Sequence, residues 1–199
     1  GDTSVDSHLG LPTVNHDLER LQSFELLPFA EAIDNDVDVI MMAHLLMPQI
    51  DPVNPASLSP AVITELLRKK MKFEGVVLTD DLTMGAISDN YEMGEAAVKA
   101  IQAGNDIVLV CHEYAKEKAV IKALQKAVKN RDISEEQIDE SVYRILQLKQ
   151  KYKLSEQTDL LAEGKGLDVK IAEINQRIKK LFKRYMESDD GDDADNVFL

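Results

Sequence analysis

The sequence predicts an α/β fold in which helices cover a parallel β-sheet. Three short apolar runs indicate the strands, at residues 37–43, 76–79 and 106–110, and each is followed by a stretch with helical periodicity. Parallel strands are buried on both faces, so they appear as near-continuous apolar runs. The spacing of roughly 30 to 40 residues between strands suits a (β/α)8 TIM barrel as well as an open doubly wound sheet. A barrel needs eight strands, so this chain would hold only three of its strand–helix units.

The segment before the second strand holds an interrupted helix, the first strand and a second helix. Apolar residues recur at helical spacing over residues 18–33, and Pro28 interrupts the stripe. A proline-containing loop at residues 51–57 follows the first strand. Ser59-Pro60 then predicts an N-cap with proline at the first helical position, and this helix ends near Met71.

Three helices are predicted after the second strand. The first covers residues 94–103, and Gly104 is the residue that would end it in the left-handed conformation. The second covers residues 114–129. The third covers residues 134–152 and opens with the capping-box pattern Ser134-Glu135-Glu136-Gln137.

The chain changes character after Leu154, so we expect the α/β domain to cover residues 1–154. Residues 155–187 are predicted to be a polar connector followed by one long amphipathic helix at 167–186. Nothing in this helix indicates chemistry, so it is a packing or partner helix, or a tail foreign to the preceding domain. Residues 188–199 carry a self-repelling acidic run and are predicted to be a disordered tail.

Composition excludes several classes of partner and site. The chain of 199 residues carries a formal net charge of −13, which argues against binding nucleic acid or an anionic membrane, because phosphate binding needs clustered Lys and Arg. No apolar run approaches the ~20 residues of a membrane span. The single cysteine, Cys111, excludes an internal disulfide and is expected to be a packed, inert thiol. No Cys/His cluster has metal-binding spacing and no glycine-rich loop suits phosphate, so neither a metal nor a cofactor is expected.

Two groups of polar residues have the composition of a catalytic site. Asp80 and Asp81 come at the end of the second strand, and Asp6 and His8 lie in a polar loop near the start of the sequence. A carboxylate at a strand end and a paired imidazole are the components of an acid/base-assisted displacement. On these residues alone the alternatives stay open, because Asp80 is at least equally well explained as a helix N-cap, and Asp-x-His as loop hydrogen bonding.

Two further residues are candidates for substrate contact. His44 directly follows the first strand, so in a barrel it would face the end that bears the active site. Substrate contact and structural hydrogen bonding explain it equally well. Met84 either lines the site or belongs to the core. His16 and His112 have no partner pattern and are expected at the surface or in loops.

A series of short motifs runs along the chain in order: Gly1-Asp2-Thr3, Asp6-Ser7-His8, Gly10-Leu11-Pro12, Met42-Ala43-His44, Phe73-Glu74-Gly75-Val76-Val77, Thr79-Asp80-Asp81-Leu82-Thr83-Met84 and Ala103-Gly104-Asn105-Asp106. This series resembles family 3 glycoside hydrolases, and within them the bacterial β-N-acetylglucosaminidases that trim cell-wall muropeptides. The resemblance covers roughly residues 1–154 and implies a (β/α)8 TIM barrel. In those relatives the Asp-Ser-His loop follows the fifth strand, so the chain is expected to be a fragment with strands six to eight. The family's Lys-His pair and earlier sugar-binding residues have no counterpart here.

The resemblance implies retaining hydrolysis of terminal β-linked N-acetylglucosamine. Asp80 would be the nucleophile that forms a covalent glycosyl-enzyme, and Asp81 a capping or supporting group. His8 would be the general acid and base, with Asp6 accepting a hydrogen bond from one ring nitrogen and fixing the tautomer. A neutral base repels an anionic acceptor less than a carboxylate does, so phosphorolysis alongside hydrolysis stays open. The natural aglycone and the location, bacterial cytoplasm or cell wall, also stay open.

The alternative is a non-catalytic truncated module whose C-terminal helix mediates assembly or partner binding. A small α/β domain of unrelated function is disfavoured by the ordered motif series. Whether the chain is an enzyme fragment or a non-catalytic module, three strands of a barrel would have unpaired strand edges on both sides. This predicts that the chain self-associates or needs the other strands of the barrel.

Overall fold

The computed structural model describes Thr3, residues 5–154 and Gln176. The chain divides into two units, Gly1–Lys151 and Tyr152–Leu199, and the elements given below all lie in the first. The predicted connector, amphipathic helix and acidic tail lie outside the described residues, apart from Gln176, which is helical and exposed. Among the described residues, no helix has the length and apolar character that crossing a membrane requires.

The first unit is built on a parallel three-stranded sheet, as the apolar runs predict. The strands are β1 (Val39–Met42), β2 (Val76–Asp81) and β3 (Ile107–Leu109), in the order β1-β2-β3. Val39 pairs with Val76 and Met42 with Thr79, and the β2–β3 register shifts between Leu78 and Asp81. The end of β2 was predicted at Thr79, which is wrong by two residues, because pairing with β3 extends the strand through the two aspartates.

Helices at the start of the unit follow the predicted periodicity with one difference at Pro28. The helical segment consists of α1 (Leu18–Arg20), a π-helix at Leu21–Glu25 and α2 (Leu27–Asp34). Pro28 lies in the first turn of α2, where a missing N–H breaks no helical hydrogen bond. The proline therefore begins a helix instead of interrupting one.

The helix predicted after Ser59 is present as a π-helix at Ala61–Lys70. The Ser59 hydroxyl accepts a hydrogen bond from the Val62 N–H at 3.3 Å, as the capping pattern predicts. A short 3-10 turn, Ala56–Leu58, precedes it and was expected to be loop.

Between β2 and residue 154 the structure describes four helices, of which three were predicted. They are α3 (Gly85–Ser88), which the sequence did not indicate, α4 (Met93–Ala103), α5 (Tyr114–Asn130) and α6 (Glu135–Lys151). Gly104 ends α4 with φ +112°, in the left-handed region that glycine adopts without strain.

The capping box at the start of α6 forms only in half. The Gln137 N–H donates to the Ser134 hydroxyl at 3.1 Å, as predicted. The Gln137 side chain donates instead to the Ile101 carbonyl at 2.6 Å, so it ties α6 to α4 and does not return to Ser134. A tertiary contact has replaced the local one.

The core lies on the face of the sheet that the helices cover, because Ile40, Met42 and Val77 belong to it whereas Met41, on the other face, is 52% exposed. One apolar cluster joins β1 and β2 to the π-helix at Ala61–Lys70 and includes Ile40, Ile63 and Val77. Two further clusters, under α4 and α5, are centred on small and branched side chains: Leu82, Ile87, Ala97, Ala100, Ile101, Ala127 and Ile133. Four alanines of α4 are completely buried, which brings its backbone close to the sheet.

A buried ion cluster closes the amino-terminal end of the sheet. The Asp106 carboxylate, with no exposed surface, accepts hydrogen bonds from Arg68 Nη2 at 2.7 Å and from Arg144 Nη1 at 2.8 Å. It also accepts from the Val77 N–H at 2.9 Å. These contacts join four parts of the chain at one point: β2, the segment before β3, α6 and the π-helix at Ala61–Lys70.

Candidate active site

The candidate site lies at the carboxyl-terminal edge of the sheet. Because all three strands are parallel, the residues that follow them meet at one edge. These residues are His44 after β1, Asp80 and Asp81 at the end of β2, and Cys111 after β3. The structure thus brings these four residues to the same edge of the sheet.

Asp80 and Asp81 point to opposite faces of β2 and have different surroundings. Successive side chains alternate along a strand, and Thr79 and Asp81 are buried whereas Asp80 is half-buried. Asp80 Oδ1 accepts a hydrogen bond from the Asp81 N–H at 2.8 Å. Among the described residues, nothing donates to Asp80 Oδ2. The free oxygen is available to a molecule bound at this edge.

The Asp81 carboxylate is used inside the protein. Oδ1 accepts from the N–H groups of Thr83 at 3.0 Å and Cys111 at 3.1 Å, and Oδ2 accepts from the Thr83 hydroxyl at 2.5 Å. Burial alone would raise the pKa of Asp81, but these hydrogen bonds outweigh it and lower the pKa below the ordinary value. Asp81 therefore ties the turn after β2 to the end of β3.

His44 is locked by hydrogen bonds at both ring nitrogens and is 1% exposed. Nε2 lies 3.0 Å from the Asp81 carbonyl oxygen, which can only accept, so Nε2 carries the proton. Nδ1 lies 2.7 Å from the Ser57 hydroxyl, which therefore donates. Both nitrogens are used within the chain, so we assign His44 to supporting the end of β2 and not to substrate.

The sequence gives no signal for Ser57 or for its neighbour Asn105 in this network. Ser57 lies in a loop without periodicity, and Asn105 appears only as part of a motif. The Asn105 side-chain amide donates to the Ser57 carbonyl at 2.9 Å and to the Ala100 carbonyl at 2.7 Å, and both residues are completely buried. A chain of contacts thus runs from α4 through Ser57 and His44 to the end of β2.

We expect the free energy of unfolding to fall as the pH drops below about 6.5, in part because of His44. Burial lowers the pKa of His44 below its ordinary 6.5, against the opposing effect of the Asp81 carbonyl and the nearby carboxylates. The unfolded chain then binds a proton where the folded chain does not, so stability present above pH 6.5 is lost toward the lowered pKa. The pKa is also lowered for three carboxyls, those of Asp6, Asp51 and Asp81. Their contribution to stability is lost at a lower pH, below the ordinary value of 3.8, and so does not overlap with that of His44.

Urea unfolding at about pH 7.5 and about pH 5.5 measures this effect. His44→Gln should show a smaller difference between the two pH values than the unmodified chain. The unmodified chain, measured at the same two pH values, is the reference. Equal pH dependence in the His44 variant and the unmodified chain would contradict the prediction.

The loop near the start of the sequence forms the predicted Asp–His pair. Asp6 Oδ1 lies 2.9 Å from His8 Nδ1 and also accepts from the His8 N–H at 2.9 Å. These hydrogen bonds, the backbone one foremost, lower the pKa of Asp6 below its ordinary value. An ionised Asp6 accepts a hydrogen bond from Nδ1–H, so Nε2 of a neutral His8 is left as an acceptor. Both side chains are well exposed, at 72% for His8 and 58% for Asp6.

The paired residues are seated on the turn that follows β2. The Ala86 N–H donates to the Ser7 carbonyl at 3.1 Å, and the His8 carbonyl oxygen packs against the Cα of Gly85. The loop carrying Asp6 and His8 therefore lies beside the strand end that carries Asp80, although 72 residues separate His8 from Asp80 in the sequence.

Three neighbouring residues differ from, or add to, the sequence expectations. Cys111 is exposed, so its expected packing is wrong, because β3 ends two residues before it. His112 Nε2 lies 3.8 Å from Asp81 Oδ2, a partner that its sequence surroundings did not indicate. Met84 is 8% exposed and its N–H donates to the Asp81 carbonyl at 3.1 Å, so its contact with substrate stays a prediction. Among the described residues, no cluster of His, Cys, Asp and Glu could hold a metal ion.

Comparison with known proteins gives one consistent result. Residues 1–148 match the sequence model of the glycosyl hydrolase family 3 N-terminal domain. Beta-hexosaminidase A of Pseudoalteromonas piscicida is 35% identical over 170 residues, covering 76% of this chain and 28% of that protein. The beta-hexosaminidase of Idiomarina loihiensis is 37% identical over 115 residues, covering 58% of this chain and 34% of that protein.

Solved structures agree with the sequence matches. The glycoside hydrolase family 3 beta-N-acetylglucosaminidase from Paenibacillus sp. superposes with a TM-score of 0.74 at 53% identity, over 75% of this chain and 29% of that one. CbsA from Thermotoga neapolitana superposes with a TM-score of 0.70 at 35% identity, over 74% of this chain and 34% of that one. The chain spans about a third of the length of these relatives.

Proposed function

This chain belongs to glycosyl hydrolase family 3, and from that premise we propose that it carries the nucleophile and the acid/base pair of a retaining β-N-acetylglucosaminidase. The observation that carries the proposal is the hydrogen bond to the Ser7 carbonyl from the N–H of Ala86, six residues after Asp80, which holds the Asp6–His8 loop against the start of α3. A retaining glycosidase needs a nucleophile and a proton donor on opposite sides of one glycosidic bond. The similarity to beta-hexosaminidases supports N-acetylglucosamine as the sugar, in cell-wall muropeptides or related glycosides.

The proposed first step forms a glycosyl-enzyme. The Asp80 carboxylate attacks the anomeric carbon, the bond from that carbon to the glycosidic oxygen breaks, and the leaving oxygen takes the proton from Nε2 of protonated His8. Asp6 stabilises the charged imidazole and holds Nδ1–H toward itself. The hydrogen bond from the Asp81 N–H holds one Asp80 oxygen in place and leaves Oδ2 as the attacking atom.

The second step returns the enzyme to its starting state. Nε2 of His8, now neutral, takes a proton from water, whose oxygen attacks the anomeric carbon and displaces Asp80. The sugar keeps its original configuration after two inversions. Inorganic phosphate in place of water would yield the sugar phosphate, and product analysis in phosphate buffer distinguishes the two acceptors.

The role of the Asp6–His8 pair is tested by comparing the rates of glycoside cleavage for substrates with different leaving groups. We expect His8→Ala to slow cleavage of an alkyl N-acetylglucosaminide by about 10²–10⁴-fold, because the departing alkoxide needs a proton. Formation of the glycosyl-enzyme from a 4-nitrophenyl glycoside should slow much less, because nitrophenolate leaves without one. Asp6→Ala should show the same pattern in weaker form. Equal losses on both substrates would exclude proton transfer by His8.

The open edges of the sheet support the proposal that this chain associates with another polypeptide surface. In the described residues, β1 and β3 each pair only with β2, so both outer edges are unpaired. A cavity of about 590 Å³ beside β1 is lined mostly by apolar side chains, including Leu21, Met42 and Leu67. Large apolar side chains nearby are exposed: Phe24, Leu27, Phe29 and Met41. Unpaired edges and exposed apolar surface favour association.

We therefore expect the 199-residue chain to self-associate and to turn over slowly. Catalysis in a barrel draws on several strand ends, and misplacing the sugar by about 1 Å costs on the order of a hundredfold in rate. Light scattering and a chromogenic N-acetylglucosaminide assay test both expectations. A monodisperse monomer with the turnover of the longer relatives would contradict them. Assembly without any labelling of Asp80 by a glycosyl donor would favour the non-catalytic alternative.

A further inference from the structure

We call the loop that carries Asp6 and His8 the dyad loop. Its backbone approaches Gly85 so closely that a side chain at position 85 would not fit. A β-carbon placed on Gly85 would lie 2.7 Å from the His8 carbonyl oxygen and 3.3 Å from the His8 carbonyl carbon. Real β-carbons essentially never come within 3.0 Å of such an atom. Both colliding atoms belong to the backbone, so an alanine at Gly85 fits only if the whole loop moves away.

Local conformation does not explain why position 85 is glycine. Of the glycines that the structure describes, only Gly104 has a positive φ, so Gly85 uses a backbone conformation that any residue adopts. Gly85 is also the first residue of α3, where alanine would be the better helix former. The missing side chain therefore serves the close approach of another segment.

The dyad loop behaves as a preformed unit that needs an external anchor. The N–H groups of Leu9 and Gly10 both donate to the Asp6 carbonyl, at 2.9 and 3.1 Å, so the loop holds its own shape. Its functional side chains face solvent. Beyond the loop, the chain is tied down again where the Leu46 N–H donates to the Pro12 carbonyl at 2.8 Å. The contact with Gly85 and Ala86 holds the loop to the start of α3, which follows the strand bearing Asp80.

We propose that Gly85 is a positioning residue for the acid/base pair. Because Gly85 has no side chain, the His8 backbone can lie directly against it, four residues after Asp81. This contact sets the position of the His8 imidazole relative to Asp80. This inference rests on the proposed function, because the distance matters only if both groups act on one glycosidic bond. A displacement of about 1 Å in such an arrangement costs on the order of a hundredfold in rate.

Gly85→Ala is compared with Gly10→Ala in the full 199-residue chain. Gly10 lies in the same loop, and a β-carbon there would meet only Val5 Cγ1 at an ordinary 3.5 Å. Amide hydrogen exchange of the Ala86 N–H, measured by NMR, reports whether the loop stays seated. We expect at least about tenfold faster exchange in Gly85→Ala and no change in Gly10→Ala, with the urea midpoint of each variant showing that the domain still folds.

The catalytic consequence is measured with two leaving groups. Gly85→Ala should slow cleavage of an alkyl N-acetylglucosaminide by about ten- to a hundredfold with little change in KM, and should affect a 4-nitrophenyl glycoside much less. A purely structural role would lower both rates together, and that result would overturn the inference.

Two outcomes separate this inference from the proposed function. Unchanged Ala86 exchange in Gly85→Ala would overturn the inference while leaving the roles of Asp80 and His8 intact. If a fluorinated N-acetylglucosaminyl donor fails to label the unmodified chain, the proposed function falls. The catalytic role of Gly85 then falls with it, whereas the exchange data still decide how the loop is held.

Discussion

Asp80→Ala is expected to lower glycoside turnover by on the order of 10⁴-fold or more, since it removes the atom that bonds to the sugar. The structure favours Asp80 over its neighbour for this task, because nothing among the described residues donates to Asp80 Oδ2, whereas Asp81 accepts three hydrogen bonds from Thr83 and Cys111. Initial rates on a chromogenic N-acetylglucosaminide measure the loss. Since turnover of this chain is expected to be slow, labelling by a fluorinated donor and mass spectrometry provide a single-event readout.

Asp81→Asn is the matched control for this experiment. It keeps the shape of the side chain but replaces one acceptor oxygen with an amide, so the tie between the turn after β2 and β3 weakens. We expect a lower urea midpoint and a milder loss of rate, with the label still on Asp80. Recovery of the label on the Asp81 side chain, or a near-normal rate for Asp80→Ala, would show that the nucleophile has been wrongly assigned.

The largest effect on stability is expected from Asp106→Asn, at about 3–5 kcal/mol. Asp106 is the shared counter-charge of Arg68 and Arg144, and its side chain has no exposed surface. Removing the charge leaves the mostly buried guanidinium of Arg68 without a carboxylate and that of Arg144 with only the exposed Glu140, and an uncompensated buried charge is far more costly than a lost surface pair. Because the cluster lies at the amino-terminal end of the sheet, the proposed chemistry at the other end is not directly touched.

Urea unfolding followed by circular dichroism, at several protein concentrations, measures this loss separately from self-association. The control is Glu65→Gln, which breaks a 2.7 Å ion pair with Lys69 whose two side chains are more than half exposed. An exposed pair contributes about 0–1 kcal/mol, so the control should stay close to the unmodified chain. If Asp106→Asn loses no more than the control, the cluster does not stabilise the fold as we describe. Failure of Asp106→Asn to fold at all would agree with the prediction.

The elements were predictable where local signals dominate. The apolar runs indicate β1, β2 and β3 because strands of parallel sheets are rich in apolar residues, although Met41 of β1 is 52% exposed. Gly104 marks the end of α4 because only glycine adopts its φ of +112° without strain. The prediction failed for α3, a helix of four residues, since so short a helix has too few positions to show a period.

Contacts from distant segments decide the roles of individual residues that the sequence leaves open or misassigns. The Gln137 side chain should return to Ser134, but the Ile101 carbonyl of α4 is available and takes the hydrogen bond. His44 could have faced a substrate, and Ser57 and the Asp81 carbonyl occupy both of its nitrogens instead. In each case the residue type was compatible with two roles, and the neighbour that chose between them is not adjacent in the sequence.

The sequence by itself determined the class of fold, the order of its elements and, through an ordered series of motifs, the family and the candidates Asp80, Asp6 and His8. These depend on periodicity, caps and short spacings, which act within a few residues. Only the tertiary structure decided that the His8 loop rests on Gly85, that His44 supports Asp81 across 37 residues, and that Asp106 joins two arginines each 38 residues away. Such pairings form because folding brings distant polar groups into a buried space where each must find a partner, and no local pattern records which partner that will be.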